Sequence, residues 1–200
     1  TMSLLVVAIG AAIGVLVGVV AGLAGGAVDE VLMRVVDLFL SLPSFVLALA
    51  LAAALGRGER SVVIALGIVW WPSYARLIRG MVLGLQHRLH VESARALGAG
   101  PWRIVRRHML PFMWDQLNAR VTQDLGYALV NVAGLSFVGL GAQPPTPEWG
   151  LLLQEGLQYV ANGWWLTVLP RVAITLWTLA VAMLGDGLAG FARSERRGHR

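Results

Sequence analysis

From Ser3 to Val28 the chain carries no charged side chain. About 20 apolar residues carry a helix across the hydrocarbon core of a bilayer, so this segment spans with some tilt. Its glycines suit close helix packing in lipid, where small residues let backbones approach. A secretory signal peptide is the competing assignment, but the segment lacks a basic n-region. Whatever the chain builds, one of its helices belongs in a membrane.

The remainder continues the pattern. Of 200 residues, 57% are hydrophobic and 14% charged, against about a quarter charged in ordinary soluble domains. Apolar runs predict membrane helices at 3–28, 31–56, 61–85, 111–138 and 164–186, in a single domain covering 1–200. The fold class is therefore all-α, a polytopic helical membrane protein with about five transmembrane helices. Pro43 sits inside the second run, where neighbouring helices can re-satisfy the freed carbonyl. Arg57 to Arg60 make a tight polar turn; Asp29, Glu30, Arg34 and Asp37 mark an interface. Trp70-Trp71-Pro72 lie inside the third run, and Arg76 and Arg79, near its end, are expected to snorkel towards the following loop. The segment 139–163 is Gly- and Pro-rich at first, then a short amphipathic helix from Leu151 to Tyr159; Trp164-Trp165 form an aromatic interface anchor. Arg171 is early enough in the last run to snorkel outwards.

All 16 basic residues are arginine, which reads as codon composition before function, and the net charge is +5. Arg88, Arg95, Arg103, Arg106 and Arg107 fall in the loop 88–110, and Arg193, Arg196, Arg197 and Arg200 in the tail, against only Arg57 and Arg60 in the opposite loops. Such a bias argues for membrane topology rather than nucleic acid, and places the 88–110 loop and the C-terminus in the cytoplasm. Five crossings then put the N-terminus outside. The absence of cysteine excludes disulfides, thiolate metal sites and a cysteine nucleophile. His87, His90 and His108 lack convincing metal spacing and read as interfacial polar residues.

The fourth run is unusually polar. At about 100° per residue, Gln116, Arg120, Gln123, Asp124, Tyr127 and Asn131 share an arc of roughly 100°. Arg120 and Asp124, four apart, can pair on that stripe. Ionisable groups at membrane depth face a bundle interior or a wet cavity, so the stripe serves either as glue against a partner subunit or as lining of a substrate path.

The loop 88–110 has its own grammar. Gly98 can take the left-handed C′ position that ends a helix; Pro101 can open a second helix, its missing N–H being unneeded in the first turn. Pro111 is expected to do the same for the fourth run. Glu92-Ser93-Ala94, Gly98 and Leu110-Pro111 keep a spacing that resembles the EAA loop of bacterial ABC-importer membrane subunits, with Ser93 in place of the middle alanine and His108 in place of an isoleucine. Further stretches, LMRVVDLFLSLPSFVLAL (32–49), WPSYARLIR (71–79), LSFVGLGAQPPTPEWG (135–150) and LGDGL (184–188), extend the resemblance to the C-type permease subunit of dipeptide, oligopeptide and nickel importers.

That resemblance implies a type I ABC-importer transmembrane domain in a bacterial inner (plasma) membrane. A second permease subunit would form a heterodimer with it, two ATPase subunits would bind below, and an extracytoplasmic substrate-binding protein would deliver a peptide; nickel or another solute is the alternative cargo. Glu92, Ser93, Ala94, Gly98, Leu110 and Pro111 would dock the ATPase, with Glu92 meeting a basic group and the two small residues allowing close approach. Arg103, Arg106 and Arg107 would face phospholipid or solvate the loop. The chain has no G-x-x-x-x-G-K-[ST] phosphate loop, so it is expected to bind no cofactor itself, ATP and Mg remaining on partner subunits. Family members usually carry one more N-terminal helix, so a truncated, non-transporting subunit is a rival, as is a membrane-embedded enzyme using Asp115, Asp124 and Asp186, although no catalytic constellation joins these.

Overall fold

A computed structural model describes residues 1–198; the side chains of Asp186 and of 188–198 lie outside the description, and with them the tail arginines Arg193, Arg196, Arg197 and Arg200. All regular structure among the described residues is helical.

Helix α1 (Met2–Ala24) is the uncharged segment, and it ends four residues early. Gly25 and Gly26 take φ of +62° and +51°, values that glycine adopts without steric cost, and the chain turns there into α2 (Gly26–Ser41). The second membrane run is not one helix. After α2 the chain bends by 89° into α3 (Ser44–Leu55). Pro43 is the cause. It has no N–H to give, and its ring forces the preceding residue out of the helical region; Leu42 accordingly sits at φ −96°, ψ 144°. Pro72 behaves differently inside α4 (Glu59–Gln86), which runs through it unbroken. Pro72 is buried in the bundle, where neighbouring groups can re-satisfy the freed carbonyl.

The core is α1 against α4. Gly10, Gly14, Gly18 and Gly22, spaced by four, are all buried on one face of α1. They face Trp70, Tyr74, Ala75 and Val82 of α4 so closely that a Cβ on Gly10 would stand 2.7 Å from Trp70 Cβ, and one on Gly18 2.6 Å from the Ala75 carbonyl oxygen. Gln86 ties the end of α4 to the Gly22 carbonyl. Two ion pairs clamp α2 onto α4. Arg79 grips Asp29 with two bonds (Nε to Oδ1 2.5 Å, Nη2 to Oδ2 2.6 Å), and Arg76 bonds Asp37. These arginines are thus partnered by carboxylates of α2 instead of simply snorkelling.

Beyond α4 come α5 (Leu89–Ala96) and α6 (Pro101–Ile104), a π-helical turn (Val105–Met109) and α7 (Leu110–Phe137). Pro101 opens α6 as expected, and Pro111 lies in the first turn of α7, although α6, the π turn and α7 follow one another without a break and form one continuous rod. A proline inside a helix clashes with the carbonyl four residues back, and a wider π turn immediately before it is one way to relieve that. Val62, Leu66, Ile78, Met113, Leu117, Val132 and Leu135 fill the space where α7 joins the α1–α4 pair. Helix α7 ends on Gly139 (φ +88°), whose N–H donates to Ser136 O while that of Leu140 donates to Leu135 O, a Schellman cap. Helix α8 (Trp149–Gly156) is capped by Glu148, which accepts from Leu151 N at 3.0 Å. The 3₁₀ turn Leu157–Tyr159 and α9 (Val160–Gly163) lead into α10 (Trp165–Gly198), which packs on α7 and α8. The turn before α4 docks here too, Gly58 N–H donating to Leu140 O at 2.9 Å.

Among the described residues three helices are long and apolar enough to cross a membrane (α1, α4 and Trp165–Gly185 of α10), or four if the bent α2–α3 pair is one broken span. Helix α7 has the length, about 42 Å for 28 residues, but its polar stripe keeps it outside that set.

Candidate functional site

The loop 88–110 is built around α5, and its end is a second Schellman cap. Gly98, at φ +80°, donates its N–H to Arg95 O, and Ala99 donates to Ala94 O, each at 3.0 Å. This is the left-handed C′ role read from the sequence. The helix has two faces. Val91 and Ala94 are buried against the bundle, whereas Glu92 and Ser93 are exposed. Glu92 lies in the first turn, where the positive end of the helix dipole favours a carboxylate. Leu89 and Leu97, at the two ends of α5, are 81% and 89% exposed. Two leucines left that open flank a face that carries Glu92 and, three residues on, the exposed Arg95. Ala94, 8% exposed, packs inward, and Gly98 shapes the cap. Leu110 is half-buried and Pro111 exposed at the start of α7.

A tether joins α5 to α7. The His90 ring Nε2 lies 3.2 Å from the His108 carbonyl oxygen, in the tautomer that donates to it, and the ring stacks on Phe112 at 4.6 Å between centroids. A hydrogen bond and a ring contact thus join α5 to the π turn and the first turn of α7. Beside the tether, the ends of α4, α5 and α7 enclose a hollow of ≈ 540 Å³ lined by Arg88, His90, Met113 and Gln116 among others.

Gln116 is also the first residue of the polar stripe. Higher on α7, Arg120 Nε donates to Asp124 Oδ2 at 2.9 Å, the pairing expected from their spacing. The carboxylate side chain is 5% exposed and the guanidinium 41%; Arg120 Cζ also stands 5.9 Å from the centre of the Tyr74 ring, within cation–π range. The stripe is therefore split. Asp124 turns inward towards α4, while Gln116, Gln123 and Tyr127 face out, and Asn131 donates to Tyr127 O at 2.7 Å. Its exposed edge and its buried edge belong to the same arc.

Sequence reasoning missed Leu89, Leu97, the His90 tether and the α2–α4 ion pairs. For the leucines a signal existed, since both flank the Glu-Ser-Ala run. For the ion pairs none did, since Asp29 and Arg79 lie 50 residues apart.

Comparison with known proteins agrees with this architecture. Residues 14–195 match the family described as binding-protein-dependent transport system inner membrane component. The glutathione transport system permease protein GsiD of Pectobacterium atrosepticum is 40% identical over 160 residues, 80% of this chain and 53% of that protein. The probable D,D-dipeptide transport system permease protein DdpC of Escherichia coli K12 is 40% identical over 185 residues, 92% of this chain and 62% of that one. The chain thus spans somewhat more than half the length of the curated relatives it matches. Among solved structures, an inward-facing MetNI methionine ABC transporter superposes with a TM-score of 0.70 at 20% identity, covering 94% of this chain and 91% of its counterpart. At that identity the likeness concerns the fold.

Proposed function

The chain belongs to the family of binding-protein-dependent transport system inner membrane components, and from that premise we propose that it forms half of the pathway of an ATP-driven importer and couples to ATPase subunits through α5. The observation that carries this is the build of α5, exposed at Leu89, Glu92, Ser93 and Leu97 and locked on its other side to α7 through His90. A partner seated on the exposed strip would move the rod of α6 to α7 directly. The arginine bias of the 88–110 loop supports a cytoplasmic position for this strip. A second permease would complete the pathway, a substrate-binding protein would load it from the other side, and ATP and Mg would stay with the ATPases. The names of the relatives, glutathione and D,D-dipeptide permeases, support a short peptide as cargo, and the half-exposed Arg120 and Tyr127 edge of α7 is the surface it or the second permease would meet.

Co-purification from native membranes, with bound proteins identified by mass, tests the assignment. Recovery of a second permease, ATPases and a peptide-binding protein is expected; recovery of this chain alone in gentle detergent contradicts it. In the reconstituted assembly Glu92→Ala or Gly98→Asp should uncouple ATP hydrolysis from uptake while leaving the protein inserted, and normal transport by both would refute the role of α5.

A further inference from the structure

We propose that Trp102, Arg103, Arg106 and Arg107 form a binding site for the phosphate of an anionic phospholipid on the side of the bilayer that carries α5. The four residues line one hollow of ≈ 330 Å³. All are exposed, Trp102 at 72%. Among the described residues none of the three arginines pairs with a carboxylate. Like charges at i, i+3 and i+4 repel one another on a helix, and a bound anion reverses that term. A guanidinium offers its donors as a flat fork that matches phosphate oxygens two at a time.

The position fits a headgroup. Arg107 precedes Leu110, the first residue of α7, by three residues, about 5 Å along a helix axis. Further along the same rod Trp114 is 53% exposed. The rod thus passes from a basic hollow with an indole at its rim to Phe112, Met113 and a second exposed indole at Trp114, ahead of the polar residues that begin at Asp115. Basic hollows beside membrane helices bind anionic headgroups in this way, and Trp marks the interface. The face of α5 differs in kind, with two exposed leucines and the acid Glu92 beside a lone Arg95, so the two surfaces suit different partners. The inference needs only that the rod enters the bilayer at Leu110; it holds whether or not the chain transports.

The test is native mass spectrometry of the chain with the subunits that co-purify with it, titrated with phosphatidylglycerol or phosphatidylcholine. Preferential retention of phosphatidylglycerol is expected. It should weaken about five-fold per arginine replaced by glutamine and roughly 150-fold for all three, which corresponds to about 1 kcal/mol for each arginine at an anionic surface. Arg57→Gln with Arg60→Gln, in the opposite turn, should leave it unchanged. Because the triple glutamine variant removes charge that helps orient the chain, Arg103→Lys, Arg106→Lys and Arg107→Lys together serve as a second probe; they keep the charge but lose the fork, and retention should still fall. Equal retention of both lipids, retention undiminished in both triple variants, displacement of the lipid by inorganic phosphate alone, or loss of binding whenever ATPase subunits occupy the arginines would each overturn the proposal.

Discussion

Replacing Gly18 with alanine is the sharpest test of how the bundle is held together. The added Cβ would stand 2.6 Å from the Ala75 carbonyl oxygen, 2.8 Å from Ile78 Cβ and 3.0 Å from Arg79 N. Two of these are backbone atoms of α4 and cannot rotate away. To restore ordinary contact the two helices must part by about 0.8 Å, and a gap of that size forfeits a quarter to a half of each dispersion well it opens. The separation is shared by Gly10, Gly14 and Gly22, which lie on the same face, so the loss spreads along the whole α1–α4 seam. Overpacking of this kind costs about 1–3 kcal/mol. Gly80→Ala is the control. It lies in α4 with nothing within 4 Å of the new methyl, and relief of glycine's backbone freedom should stabilise by about 0.5–1 kcal/mol. Unfolding by SDS titration in mixed micelles, followed by tryptophan fluorescence, separates the two. A Gly18→Ala protein as stable as its parent, or as stable as Gly80→Ala, would refute the close-packed seam.

Other outcomes follow from the ion pairs and the exposed leucines. Arg79→Gln should destabilise by about 1–3 kcal/mol, because it strands the largely buried Asp29 carboxylate. Arg76→Gln breaks a pair whose side chains are 54% and 66% exposed and should cost under about 1 kcal/mol; the same titration ranks them, and equal losses would contradict the clamp as described. Leu89→Ser with Leu97→Ser should leave stability within about 0.5 kcal/mol, since both side chains are already open, yet reduce recovery of ATPase subunits in a pull-down. Loss of stability without loss of partner would mean that the leucines serve the fold.

What the sequence disclosed was mostly local. Gly98 as a C′ residue and Pro101 as a helix opener depend on a few neighbouring residues, and both took the expected form. The pairing of Arg120 with Asp124 likewise follows from a four-residue spacing. Pro43 and Pro72 show where local reasoning stops. Both are prolines within apolar runs, yet α4 continues through the buried Pro72 while the chain bends at Pro43, a difference that the neighbouring residues do not announce. Arg76 and Arg79 were legible as charges near a membrane surface, but not as partners of α2, because nothing nearby in sequence specifies contacts 39 and 50 residues away. The stripe on α7 was legible as an arc, but which of its edges is buried depends on where α4 lies. Ala94 was singled out with Glu92, but burial assigns it to the bundle's side of α5.

The claim that α5 is the seat of an ATPase is tested most directly by labelling. The chain has no cysteine, so Leu97→Cys introduces a single thiol at a position 89% exposed, and Leu157→Cys provides a comparison site at 51% in the 3₁₀ turn of the segment 139–163. Maleimide labelling rates of each are measured with and without the co-purifying ATPase subunits. Protection at position 97 of tenfold or more, with position 157 unchanged, is the expected result. An unchanged rate at position 97 while the ATPases are demonstrably bound would contradict the account.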